Sequence, residues 1–154
     1  MYKTFIIAVI LSVIFPLTAT AEHSDGLITK KSKYSVSETL DRLENVLKKK
    51  GITVALRWKH DAKAKAVNVD LRPTELLIFG NPKIGSHMFT SNQTAGIDLP
   101  LKALAWKDEN GDVFLSYNDP AYVAKRHHIG NRSKILKKMS GALNKLSNVA
   151  TGNN

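Results

Sequence analysis

Apolar positions along the chain recur in distinct rhythms, and each rhythm predicts an element. Val36, Leu40, Leu43 and Leu47 fall at helical spacing. Ser35 and Glu38, at the start of this run, have the spacing of a capping box, Lys48 to Lys50 suit the negative end of a helix dipole, and Gly51 supplies a stop. Before the helix, Gly26 to Lys33 predicts a first strand, with Leu27 and Ile28 its only strong apolar residues. After the helix the period changes to two, and Ile52, Val54, Leu56 and Trp58 alternate with Thr53, Ala55 and Arg57 as a strand with one face in the core. Strand, helix and strand in succession predict a βαβ unit with a right-handed crossover.

The segment from His60 to Asp70 is rich in Ala and Lys and reads as a short helix or loop, with Val67 and Val69 as its anchors. Leu76 to Phe79 is a continuous apolar run between Pro73 and Gly80, the pattern of a strand buried on both faces. Gly85-Ser86 offers a cap for a short helix through Met88 and Phe89. Leu101 to Trp106 and Val113 to Tyr117 predict a hairpin around Asn110-Gly111, a pair favoured in type I′ turns. Asp119 then caps a helix whose first residue is Pro120 and which continues to His127. A last helix begins at Ser133, with Ile135, Met139, Ala142, Leu146 and Val149 as its apolar stripe and Gly152 to Asn154 fraying. The expected architecture is α+β: a βαβ unit plus a C-terminal β-hairpin in one mixed sheet, with helices packed on it.

The N-terminal pattern changes the domain count. Lys3 is followed by an apolar run from Phe5 to Leu17, interrupted only by Ser12, and then by Ala19 and Ala21. This is the layout of a secretory signal peptide over residues 1–21 cleaved near Ala21, leaving one α+β domain over 22–154. The run is shorter than the roughly 20 residues of a spanning helix, so the mature chain is expected in the periplasm or outside the cell, not spanning a membrane. The chain has 154 residues and no cysteine. It is long enough for a core without staples, and disulfides, thiolate metal sites and cysteine nucleophiles are excluded. Loss of the leader leaves 22 Lys and Arg against 13 Asp and Glu, a charge of +9. Export makes nucleic acid the poorest partner for this charge; solvated helix faces and an anionic envelope surface are the better ones.

Several segments in order resemble the bacterial DUF302 family of unknown function. They are Arg72-Pro73-Thr74, Leu77-Ile78-Phe79-Gly80-Asn81-Pro82-Lys83, Thr94 to Lys102, and Ser116 to Tyr122. A weaker similarity extends from Gly26 to Ala150, while the leader and the Lys-rich segment Asp61 to Lys65 depart from it. The resemblance implies a compact α+β fold and a homodimer. It implies no activity, cofactor or catalytic residue.

Candidate chemistry gathers at the polar corners of the strands. Asn81, Lys83, Asp98, Asn118, Asp119, Tyr122 and Arg126 form the candidate ligand-binding set, placed in a cleft for a small anionic ligand or an envelope protein partner. Asp119 is sufficiently explained as a cap, Asn81 and Asn118 as turn residues, and Tyr122 with Arg126 as a stacked pair on one helix face. His127 and His128 are adjacent and diverge on a helix, so they make no metal pair, and no cofactor or metal site is expected. The leading expectation is a non-catalytic binding module. A small enzyme using Asp98 or Asp119 with Lys83 or Arg126, or a dimeric structural protein of the envelope, are the alternatives.

Overall fold

A computed structural model describes residues 26–153. The leader lies outside these described residues. Within them, strands β1 (Leu27–Ser32), β2 (Thr53–Lys59), β3 (Thr74–Gly80), β4 (Leu101–Lys107) and β5 (Val113–Asn118) form one sheet in the order β1-β5-β4-β3-β2. Helices α1 (Val36–Lys49), α2 (His60–Lys65), α3 (Pro82–Phe89), α4 (Pro120–Arg126) and α5 (Ser133–Thr151) and a 3₁₀ turn at Gln93–Ile97 complete the domain. The α+β class is as expected. Every neighbouring pair is antiparallel, however, so the sheet is not mixed. The strands of the expected βαβ unit, β1 and β2, run in the same direction but occupy opposite edges, with three strands between them.

Helix α1 follows its sequence signals closely. The Ser35 hydroxyl accepts from the Glu38 amide, and the amides of Gly51 and Ile52 donate to the carbonyls of Lys48 and Leu47, closing the helix with a Schellman pair. Its apolar stripe meets Leu77, Phe79, Ala103, Ala105, Leu115 and Tyr117 from the sheet. Helix α5 lies beside α1 on the same face. It buries Met139, Leu143, Leu146 and Ala150, one step round from the expected stripe, and leaves Ala142 and Val149 exposed. Gly152 and Asn153 do not fray: Lys33 Nζ donates to the Gly152 carbonyl and Asn153 Nδ2 to the Lys31 carbonyl.

Strand β2 departs from simple alternation for a local reason. A bulge between Val54 and Leu56 inserts one residue opposite β3, so the side chains after it change faces. Leu56 and Trp58 turn outward, 45% and 40% exposed, and Arg57 turns inward towards α1. There Arg57 Nε donates to Glu75 Oε2 at 2.7 Å, while its other nitrogens reach Asp41, Glu44 and Ser37. Burial works against the Arg57 charge, but hydrogen bonds and attraction from Asp41 and Glu75 outweigh it and raise its pKa. Glu75 is 5% exposed, so this pairing supplies the compensation that a buried carboxylate requires. Val67 and Val69, expected to anchor the following segment, are 68% and 55% exposed. Lys63 instead lies over the Trp58 ring at 5.1 Å.

Strand β3 is buried on one face only. Glu75, Leu77 and Phe79 are covered, whereas Leu76 and Ile78 are half-buried on the other side. With Leu56, Trp58, Leu104, Trp106 and Phe114 they make a largely apolar outer face, opposite the one that packs on α1 and α5 and touched by α2 at its β2 margin, where Lys63 lies over Trp58. Trp106 stacks on Phe114 with ring centroids 5.0 Å apart, and its Nε1 donates to Ser116 Oγ.

The β4–β5 hairpin forms where expected but with a longer turn. Lys107 pairs with Val113, and the Gly111 amide closes on the Asp108 carbonyl. Asp108 Oδ1 accepts from the amides of Asn110 and Asp112. Gly111 has φ +86° while Asn110 does not adopt the left-handed region that a type I′ turn requires of both residues.

Candidate functional site

The Asn-Pro step after β3 begins a helix. Asn81 caps α3, its Oδ1 accepting from the Lys83 amide at 3.0 Å, and Pro82 takes the first helical position. The helix therefore starts before Gly85-Ser86, on the same logic as Asp119-Pro120. Starting there, α3 stands off from α5 and leaves a cleft of about 590 Å³ over the end of the sheet. One wall is Ile84, Gly85 and Phe89 from α3; the other is Met139, Ala142, Leu143 and Leu146 from α5. Phe79, Leu99 and Leu101 make the floor, and Ile52 and Ala55 close the end towards β2. Lys50 and Lys138 stand at its margin, and no Asp or Glu lines it.

The candidate residues are divided among three places. Asn81 lines this cleft; Lys83 is exposed on α3 and is not among its lining residues. Asp98 and Arg126 meet in a second cluster, Arg126 Nη1 donating to Asp98 Oδ1 at 3.2 Å. Arg126 is thus turned to a carboxylate, and no Arg126–Tyr122 stacking occurs. Asn118, Asp119 and Tyr122 form a third group around the start of β1. Asp119 Oδ1 caps α4 through the Ala121 amide, and the Asp119 amide donates to the Gly26 carbonyl. Tyr122 lies so close to Gly26 that a Cβ there would sit 2.1 Å from its ring, which only glycine avoids. Asn118 borders a shallow depression of about 270 Å³ with Leu27, Leu76 and Leu104 on the outer sheet face.

His127, absent from the candidate set, is the centre of the second cluster. It is 6% exposed. Its Nε2 meets Asp98 Oδ2 at 2.6 Å and its Nδ1 meets Thr94 Oγ1 at 2.9 Å. Asn92 accepts from the Thr94 amide and hydroxyl and donates through Nδ2 to the His127 carbonyl. Hydroxyl, imidazole and carboxylate in line have the order of a nucleophile with its base and orienting acid. Thr94 and His127 line neither cavity, however. The same bonds clamp the 3₁₀ turn onto α4, over the small apolar cluster of Met88, Ala95, Leu99, Ala124, Ile129 and Met139. Their geometry fits a fastening. No sequence spacing announces it, because Asn92, Thr94 and Asp98 meet His127 only once the turn has folded back. Among the described residues no three His, Asp or Glu side chains are grouped to hold a metal ion.

Fold and cleft together define a two-layer α+β domain with one face of its sheet helix-covered and an apolar cleft at the sheet end. The model of the family "Domain of unknown function DUF302" matches residues 28–146, and the chain belongs to that family. A crystal structure of an uncharacterized conserved DUF302 protein from Bacillus stearothermophilus superposes with a TM-score of 0.74 at 21% identity, covering 81% of this chain and 98% of that one. It shares the fold. The chain is also 45% identical over 113 residues to the Fluoride-specific ion channel FluC 1 of Brucella suis biovar 1 and to that of Brucella abortus biovar 1. These matches cover 73% of this chain but 44% and 42% of the relatives, so the chain spans less than half their length. Among the described residues, no helix is long and apolar enough to cross a membrane.

Proposed function

We propose that this protein is a non-catalytic binding module, exported by its leader, whose ligand site is the cleft between α3, α5 and the sheet end. The cleft itself supports the reading: its volume of about 590 Å³ lies within the range of small-molecule sites, and its walls are mostly apolar. A neutral, environment-sensitive fluorophore such as Nile red is expected to bind there and brighten. Ala142 is exposed on the α5 wall, so Ala142→Trp should abolish the signal while leaving the melting temperature nearly unchanged. Equal fluorescence in the two proteins would sink the cleft as the binding site. The outer sheet face supports a homodimer, since a contiguous apolar surface whose residues are half-buried or, at Leu56 and Trp58, exposed is of the kind that marks association sites.

A second reading draws on the Brucella relatives, in which a domain 45% identical to this chain is part of proteins named as fluoride-specific ion channels. On this reading the module acts alongside an ion channel of the membrane. Deleting its gene should then lower the fluoride concentration at which growth stops, with restoration by the gene in trans; unaltered growth would remove the reading.

A further inference from the structure

The cleft's polar atoms say more about its occupant than its volume does. Five lining residues carry polar side chains: Lys50, Thr53, Asn81, Ser86 and Lys138. Two of these have an atom already committed, Asn81 Oδ1 to the Lys83 amide and the Ser86 hydroxyl, as donor, to the Pro82 carbonyl at 2.7 Å, which leaves the Asn81 Nδ2 amide as a donor on the α3 side. Thr53 is exposed on the edge strand. The two ammonium groups make no ion pair among the described residues. A ligand with polar groups spread along it would therefore desolvate most of them against hydrocarbon walls with few replacement hydrogen bonds, at a cost of about 1–3 kcal/mol for each unpaired group.

We infer that the cleft takes an anionic amphiphile, an acyl carboxylate whose chain lies between Phe89 and Leu143 and whose head group stays at the margin with Lys50 and Lys138. This rests on the cleft being the binding site and adds the ligand's class. Two further observations agree with the charge. No carboxylate lines the cleft to repel an anion, and residues 26–153 carry 22 Lys and Arg against 11 Asp and Glu, a field that raises the local concentration of anions. Lys50 follows the C-terminus of α1 and Lys138 lies on α5, so the two cations approach the head group from different elements. Both are exposed, which lets an ammonium stay hydrated until the carboxylate arrives.

Displacement of Nile red by laurate and by dodecanol, below their aggregation concentrations, separates chain from charge. Laurate is expected to compete more strongly than the alcohol. The double variant Lys50→Gln/Lys138→Gln should weaken laurate about fivefold to tenfold, two exposed ion pairs' worth, and leave dodecanol unchanged. Competition of equal strength by acid and alcohol, or a double variant that weakens both alike, would overturn the anionic class while leaving the cleft as a binding site. Nile red that binds the wild type but is displaced by neither amphiphile would overturn the acyl-chain class. If Nile red itself failed to bind, the fault would lie with the cleft reading, and direct calorimetry of laurate with the wild-type protein would then decide: no heat of binding overturns the amphiphile too.

Discussion

Arg57→Met is expected to lower the unfolding free energy by about 3 kcal/mol, read as a fall in the urea midpoint. The substitution keeps much of the side chain's apolar stem and removes the donors to Glu75, Asp41, Glu44 and Ser37. Asp41 is mostly exposed and loses little. Glu75 is 5% exposed, and its remaining cation is Lys59, 3.8 Å away and itself over half exposed. The cost is thus that of a buried carboxylate stripped of its main partner. Replacing both ends with apolar groups should recover most of it, so Arg57→Met/Glu75→Leu is expected within about 1 kcal/mol of wild type. A single variant as stable as wild type would show that solvent already screens the pair.

Leu104→Glu is expected to dissociate the proposed homodimer. Leu104 sits at the middle of the outer face, paired across the sheet with Leu76 on one side and Ser116 on the other. Leu104 is half-buried at a shallow depression, so in a monomer the longer Glu side chain reaches water and the fold persists, which circular dichroism verifies. In a face-to-face dimer it is buried twice, once from each copy. At roughly 2 kcal/mol per copy, typical of a central interface residue, association weakens about a thousandfold. Sedimentation equilibrium should show wild type at twice the chain mass and the variant at the chain mass. A monomeric wild type would remove the dimer.

Local chemistry was legible wherever it was self-contained. The Ser35 cap, the Schellman stop at Gly51, the β4–β5 pairing and the Asp119-Pro120 entry to α4 each need only neighbouring residues, and each appears. What the chain did not disclose depends on meetings between distant segments. Val54 to Trp58 carries a clean alternation, yet one inserted residue opposite β3 sends Arg57 inward and Trp58 outward. The Asn81-Pro82 start of α3 was readable by the same rule as Asp119-Pro120, but the glycine and apolar run around it favoured a plain turn. The division of the polar corners follows from which side of the sheet each faces. Asn81 and Asn118 leave β3 and β5 at the same end of the sheet, but Asn81 caps α3 and lines the helix-side cleft, whereas Asn118 borders the depression on the outer face. The cleft arises from the gap between α3 and α5, a property of packing that no residue pattern encodes.

The bulge in β2 also bears on how the protein behaves in a crowd. A sheet's two outer strands carry unpaired backbone donors and acceptors that invite another chain to continue the ladder. Here one border is kinked by the bulge and ends at Lys59, and at the other, β1, Lys30 reaches to Asn144 and Asn148 of α5 while Lys31, on the opposite face, pairs with Asp112. A strand arriving at β2 meets a broken hydrogen-bond rhythm, and one arriving at β1 meets long charged side chains on both faces. Growth sideways is discouraged. In the proposed homodimer an encounter through the outer face is finished once two copies meet, so that apolar surface would be buried without seeding fibres.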